Sequence, residues 1–318
     1  MKKTLLAAAI PALMMASSVS AVELYNDGAN SVAMGGHVSV ALMKKEGGET
    51  EVTDNSPRIN FTFKRALNDD LTLEAKTEWA MNFADSEGEQ FSNRLGYIAL
   101  HSKQFGSASV GQQWSAFYDV AAVTDTAIIF GNDYLYNVED TYRFSDSIVY
   151  RKGFDFGDMG ALNFGVQWKG AKDANIDDRI GGSVAYSVAG VTLGYAHISG
   201  DVATVEQKMD LLSVKYGTYG KGIYAAANYT KAENILEFAD SIAIDAVAAY
   251  GFDNGLNVSL NYEIVEDDNS SKVDYETIAL VAEYAVAKNL VVYAGYQDAL
   301  EENKAQVDTA TIGARVFF

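Results

Sequence analysis

Cysteine is absent from the 318 residues, and proline occurs only twice, at Pro11 and Pro57. Without thiols the chain forms neither disulfides nor thiolate metal sites. Positive charge is also scarce: 24 Lys and Arg stand against 43 Asp and Glu, for a formal net charge of −19. So acidic a chain makes nucleic acid an unpromising partner, because phosphate binding needs Lys and Arg. The three histidines lie on dispersed segments without metal-ligand spacing, and no Ser/His/Asp constellation stands out. No enzyme activity, cofactor or metal is expected. Long hydrophobic runs are missing too. Beyond the first residues nothing approaches the 18 or so apolar residues of a membrane helix.

Residues 1–21 read differently. Lys2 and Lys3 precede the apolar stretch Leu5 to Ala16, and small residues follow at Val19 and Ala21. This is the layout of a secretory signal peptide cleaved after Ala21. The rest, 22–318, has no linker or break in composition and is expected to be one domain.

What the chain has in quantity is glycine (27), tyrosine (19) and period-2 alternation. In "LTLEAKTEWAM", Leu71, Leu73, Ala75, Thr77, Trp79 and Met81 share one face of a strand, and Thr72, Glu74, Lys76 and Glu78 the other. "ALNFGVQWKG" and "LNVSLNYEI" alternate in the same way. Seven tight connections, among them "LNDDL", "VAGV" and "DNGL", intersperse with eight longer, acidic ones, such as 44–57 and 200–207. Asp-Asn-Gly is a strong hairpin signal. One connection, Ser115 to Asp140, is much longer than the others. Seven turns and eight loops make sixteen strands.

Short and long connections at alternate ends are the pattern of an all-β, 16-stranded antiparallel transmembrane barrel with short periplasmic turns and long extracellular loops. Closure is required, since an open sheet edge in lipid leaves backbone groups unpaired. Sixteen strands enclose a water-filled lumen, so inward faces are expected to be polar. Trp79, Tyr97, Tyr142, Tyr150, Trp168, Tyr262, Tyr284, Tyr293 and Phe318 are candidates for outward aromatic girdles. The final "VDTATIGARVFF" alternates to its last residue. Val316 and Phe318 lie on its apolar face, and such a terminal strand resembles the signal read by outer-membrane assembly machinery.

From "AVELYNDGANSVAMGGHVSV" through "NRLGYIALHSKQFGSASVGQQW" to the terminal "GARVFF", the chain resembles the general diffusion porins of Gram-negative outer membranes, in their OmpU/OmpL-like branch. The resemblance implies a homotrimer of separate pores, with outer membrane lipids and lipopolysaccharide as surroundings and small hydrophilic solutes and ions as cargo. It also implies that the third long loop, 115–140, folds inward as the constriction. The apolar "AIIFG" (127–131) suits a loop packed inside the lumen. Carried over by motif, Arg58, Arg94, Arg143 and His37 form a basic wall. Asp125, Phe130, Gly131 and Asp133 supply the loop's acids and turn. His37 stands where relatives carry lysine, Gln112 where arginine is common, and Ile129 where the loop has glutamate. An arginine facing lipid at mid-membrane costs about 2–4 kcal/mol, so the wall arginines must point inward. With Ile59, Phe61 and Leu95 on the lipid phase, alternation agrees.

The resulting expectation is a passive diffusion channel with weak preference for cations. The alternative is a surface barrel acting as an adhesin or structural protein with little channel activity. A secreted β protein with a packed core is disfavoured by the inward Glu74, Lys76, Glu78, Lys169 and Glu263.

Overall fold

The computed structural model describes residues 21–84, 88–131, 141–171, 176–235, 240–270, 273–300 and 307–318. The expected leader, apart from Ala21, and Asp133 lie outside the described residues. Among those described, eighteen strand segments make one sheet. In chain order they are β1 (Val22–Asn26), β2 (Asn30–Lys45), β3 (Thr50–Asp54), β4 (Arg58–Ala66), β5 (Leu71–Met81) and β6 (Phe91–Ser102). There follow β7 (Gly106–Trp114), β8 (Arg143–Asp155), β9 (Ala161–Lys169), β10 (Ile176–Val188), β11 (Val191–Val202) and β12 (Val205–Thr218). The last six are β13 (Lys221–Glu233), β14 (Asp240–Gly251), β15 (Leu256–Asp267), β16 (Val273–Ala287), β17 (Leu290–Ala299) and β18 (Thr309–Phe317). One helical turn, α1 (Tyr118–Ala121), lies between β7 and β8.

Successive strands from β4 onward pair antiparallel, and β18 pairs with β2 from Thr309↔Lys45 to Phe317↔His37, which closes the sheet. The barrel has sixteen strands, because two of the eighteen segments are pieces of others. β3 and β4 pair in succession along the same side of β2. Their junction carries Ser56 at φ 52° and then Pro57, which has no N–H to give a ladder. β1 pairs with the first half of β2, Val22↔Met34 to Asn26↔Ser31. It therefore continues the line of β18 past the point where Phe318 and Gly36 exchange backbone hydrogen bonds of 3.0 and 3.1 Å. Only glycine fits at 36, where a Cβ would sit 2.2 Å from the Arg58 carbonyl.

Side chains alternate as lipid requires. Val166 and Trp168 are 50% and 42% exposed, while Gln167 and Lys169 between and after them are 5% and 6%. Polar residues inside and apolar ones outside is stable only where the outer solvent is hydrocarbon. Outward aromatics form two bands. Tyr186, Tyr216, Tyr250 and Tyr284 stand near the short turns. Nearer the loop ends, Trp168 donates to Asp178 (2.8 Å), Tyr195 to Asp210 (2.5 Å), Tyr262 to Glu276 (2.8 Å) and Tyr296 to Asp308 (2.5 Å). Each keeps its polar tip toward the charged rim and its ring in the apolar band.

Three sequence expectations are corrected here. Tyr293 is buried inside the barrel, bonded to Asn55 at 3.0 Å, and Tyr97 points inward to Glu74 at 3.0 Å, so neither is a girdle residue. Tyr142 lies just before β8, its ring beneath Arg143. Segment 200–207 is mostly strand rather than loop, and half of 44–57 is strand. β11 and β12 meet at Ala203-Thr204, both with positive φ as a two-residue hairpin turn demands. Acidic residues do not break a strand whose two faces are both solvated beyond the membrane rim.

Candidate functional site

The connection after β7 folds onto the inner wall. Its residues meet the polar-phase side chains of the strands, the opposite phase to outward Leu212, Leu260 and Leu280. Ser115 opens it by accepting from the Tyr118 N–H (2.9 Å) and donating to the Thr141 carbonyl (2.7 Å). Phe117, Val120 and Ala121 then pack on Ala196, Ile198, Met209, Leu211 and Ala232. Val123 follows onto Tyr224, Ala226 and Val247, and Ile128 and Ile129 onto Ala41, Val281, Val291 and Tyr293. Inward polar groups hold the loop's backbone. Asn228 donates to Ala121 O (2.8 Å), Tyr224 to Val123 O (2.5 Å) and Asn55 to Ile128 O (3.1 Å), while Glu283 accepts from the Ile128 N–H at 2.7 Å. Arg151 bonds Asp119 (2.5 Å) and the Trp114 carbonyl (2.8 Å). Buried backbone groups need such partners, and the wall provides them.

Thus the inner wall is partly apolar, not polar throughout. Where β11 to β14 and β16 to β17 lie under the loop, both faces are hydrophobic. Near-continuous apolar runs such as "SIAIDAVAAYG" and "TIALVAEYAV" signal burial on both faces.

The opposite wall carries the arginines. Arg58, on β4, donates to the Ser56 hydroxyl at 2.8 Å and stands in the field of Arg94, Arg315, Arg143 and Glu78. Arg94 reaches Glu78 at 2.9 Å. It does so from a β-bulge: β5–β6 register passes from Glu78↔Leu95 to Trp79↔Asn93 and skips it. Leu95 consequently sits on the inward phase, 2% exposed, and not on the lipid phase that alternation gave it. A second bulge shifts β7 against β8 between Gly111 and Gln113, and Gln112 turns to Asn93 at 2.5 Å. Arg143 lies over the Trp114 ring, 5.3 Å from its centre, and Trp114 stacks on Tyr118 at 4.4 Å. Tyr118 donates its hydroxyl to Asp125. This chain of contacts joins the basic wall to the loop's acid.

His37 is 5% exposed, with Nε2 at 2.9 Å from Ser56 O and its ring edge-on to Phe317. Phe130 packs with the Ile128 cluster, and the left-handed residue of the turn is Phe130 itself (φ 55°), not Gly131. Val316 faces outward, and Phe318 bonds Gly36. Four participants were missed by motif reading: Glu78, Trp114, Glu283 and Arg315. Arg315 bonds Ser39 Oγ and the Asn55 carbonyl, each at 3.3 Å. Its signal was present, since it shares the polar phase of β18 with Thr309 and Thr311.

Comparison with known proteins agrees with this geometry. Outer membrane porin F of Escherichia coli K12 is 28% identical over 299 residues, covering 82% of each chain. Porin PhoE of the same strain is 29% identical over 290 residues, covering 82% of each. Among solved structures, Salmonella typhi OmpF superposes with a TM-score of 0.81 at 24% identity, over 93% of this chain and all of that one. A Vibrio cholerae OmpT variant does so at 0.72 and 18%, over 91% of this chain. These relatives are channels rather than enzymes. The Gram-negative porin profile matches residues 4–305. The chain therefore belongs to the Gram-negative porin family, a multi-pass outer-membrane barrel whose lumen is a passive diffusion channel.

Proposed function

We propose that solutes are filtered where loop 115–131 faces Arg58, Arg94, Arg143 and Arg315, and that the channel weakly prefers cations. The observation that carries this is the partial neutralisation of the basic wall. Arg94 is paired with Glu78, and Arg315 stands in the fields of Glu283 and Asp125. Three carboxylates, Glu78, Asp125 and Glu283, thus offset part of the charge of the four arginines. An opposing field comes from the acidic outer rim, where Glu46, Glu51, Asp201, Glu206, Asp267 and Asp268 are among an excess of carboxylates. A rim field is screened over about 10 Å at 0.1 M salt and about 3 Å at 1 M. Reversal potentials in KCl gradients across planar bilayers test it: the expected cation preference shrinks as salt rises. An anion-favouring potential at low salt overturns it.

We infer likewise that residues 1–21 are removed on export, that β18 with Val316 and Phe318 is the strand read by the assembly machinery, and that the barrel sits as a homotrimer among lipid and lipopolysaccharide. OmpT of Vibrio cholerae is described in a trimer form. Gel mobility before and after heating, with mass spectrometry of the mature N-terminus, checks the trimer and the cleavage site.

A further inference from the structure

Near the short turns, the outward face of β8 and β9 carries a cation among rings. On β8, Val149 is buried and Arg151 reaches the loop's Asp119, so both face the lumen. Ile148, Tyr150, Lys152 and Phe154 take the other phase, toward lipid. Ile148 and Phe154 are exposed there. A lysine on that phase is costly at mid-membrane and tolerated close to the interface. Lys152 meets this condition, since β8 ends at Asp155.

The rings touch one another. Phe154 stacks on Phe164 of β9 at 6.2 Å and on Phe156 of the turn at 6.4 Å, and Tyr150 lies 6.0 Å from Phe164. The Lys152 ammonium sits 5.6 Å from the centre of the Phe154 ring and donates to the Gln104 carbonyl on the neighbouring turn. Its stem crosses Gly106, where a Cβ would come 3.1 Å from Lys152 Cδ. Tyr150 donates to the Phe105 carbonyl on that same turn. Lys64, Arg94, Arg151, Lys208 and Lys231 each hold a carboxylate, whereas among the described residues Lys152 holds none. The nearby Asp155, on the lumen phase, turns back onto the Gly157 N–H at 2.9 Å. An ammonium has three N–H donors, and one carbonyl does not exhaust them. The counter-charge has to come from outside the chain, and on this face the surroundings are lipid.

We propose that Lys152 and the rings of Tyr150, Phe154, Phe156 and Phe164 bind one anionic glycerophospholipid in the leaflet at the short turns. The phosphate meets the ammonium, and an acyl chain lies along the rings. Lys152 keeps its head at headgroup level and its stem in the apolar band, as long cationic side chains do at such a boundary. A headgroup with its own ammonium competes with Lys152 for the phosphate, so a net negative lipid is preferred to a zwitterionic one. The site belongs to one chain and is read without conductance, so its failure is distinct from failure of the filter or the trimer above.

Native mass spectrometry of the detergent-solubilised protein with equimolar phosphatidylglycerol and phosphatidylethanolamine tests this. Wild type is expected to retain one phosphatidylglycerol per chain with about fivefold preference, the worth of one basic side chain at an anionic lipid surface. K152Q abolishes the preference and K152R keeps it. R65Q leaves it unchanged, although Arg65 is also an exposed cation on the outward phase, that of Phe63 on β4. Wild-type crystals grown with bromine-labelled phosphatidylglycerol should show an anomalous peak beside Phe154 and Phe164, a readout that needs no variant to fold. Equal retention of the two lipids by wild type overturns the proposal, as does an undiminished preference in a folded K152Q. A loss as large in R65Q shows that total charge decides and overturns it too, as does bromine found only elsewhere on the barrel.

Discussion

Two stretches of the same barrel interior solve opposite problems. From β11 to β17, inward positions hold Ala196, Ile198, Leu211, Ala226, Val247 and Val281, and the loop covers them as a second layer. From β4 to β8, inward positions hold Arg58, Lys64, Glu74, Glu78, Arg94 and Arg151; Lys64 pairs with Glu74, Arg94 with Glu78 and Arg151 with the loop's Asp119. Strand alternation is the same in both. The difference is that one wall is packed like a protein core and the other is an electrolyte boundary. A channel needs both, since packing holds the obstruction and charge acts on what passes it.

Removing the packing should have the largest effect. Phe117 is fully buried among Ile198, Met209 and Leu211, and Phe117→Ala should cost about 3–5 kcal/mol of local stability. The barrel ladder is untouched, so heat-modifiable mobility should persist. Single-channel recordings should show larger, unsteady conductance; steps of wild-type size and noise would mean that the packed wall does not hold the loop.

A polar anchor should matter less. Glu283→Ala strands the buried Ile128 N–H and removes a partner of Asn257. The cost is about 1–3 kcal/mol, expected as increased open-channel noise with little change in mean conductance.

On the charged wall, Arg58→Ser should alter selectivity and leave the loop in place. One unit charge acting at about 5 Å through water is worth roughly 0.8 kcal/mol, or about fourfold in ion preference. Cation preference should rise by up to that factor in reversal-potential measurements. A change in conductance noise instead would show that the two walls are not separable.

The smallest effect concerns neither wall. At the rim, the Tyr296 hydroxyl and then the Ala299 N–H hold the Asp308 carboxyl below its usual 3.8. A depressed carboxylate contributes fully above its usual value, and the contribution is lost as pH falls through the lower, folded value. The melting difference between wild type and Asp308→Asn should therefore be small and constant from neutral pH downward, and should close only below that usual value. Circular dichroism melts across pH provide the check.

The residue pattern reached much of this by itself. Alternation in 71–81, 161–169 and 256–264 gave faces that the barrel keeps, because a period of two leaves a strand no other way to separate lipid from water. Turn chemistry at "VAGV" and "DNGL" placed hairpins correctly for the same local reason. Lengths of connections were less legible. Acidic residues at 44–57 and 200–207 looked like loop, but pairing with a neighbouring strand decides whether a solvated polar segment is extended, and pairing is not local.

Charge, alternation and turn residues determined that this chain is a closed membrane barrel with wet contents, since those properties depend on neighbours two to four residues apart. Only the tertiary structure decided which inward faces meet the loop, that a bulge at Arg94 puts Leu95 on the inward side as well, and that Arg315 and Glu283 join across strands far apart in sequence. Such groupings arise from register and closure, which bring together residues whose spacing along the chain carries no periodic mark.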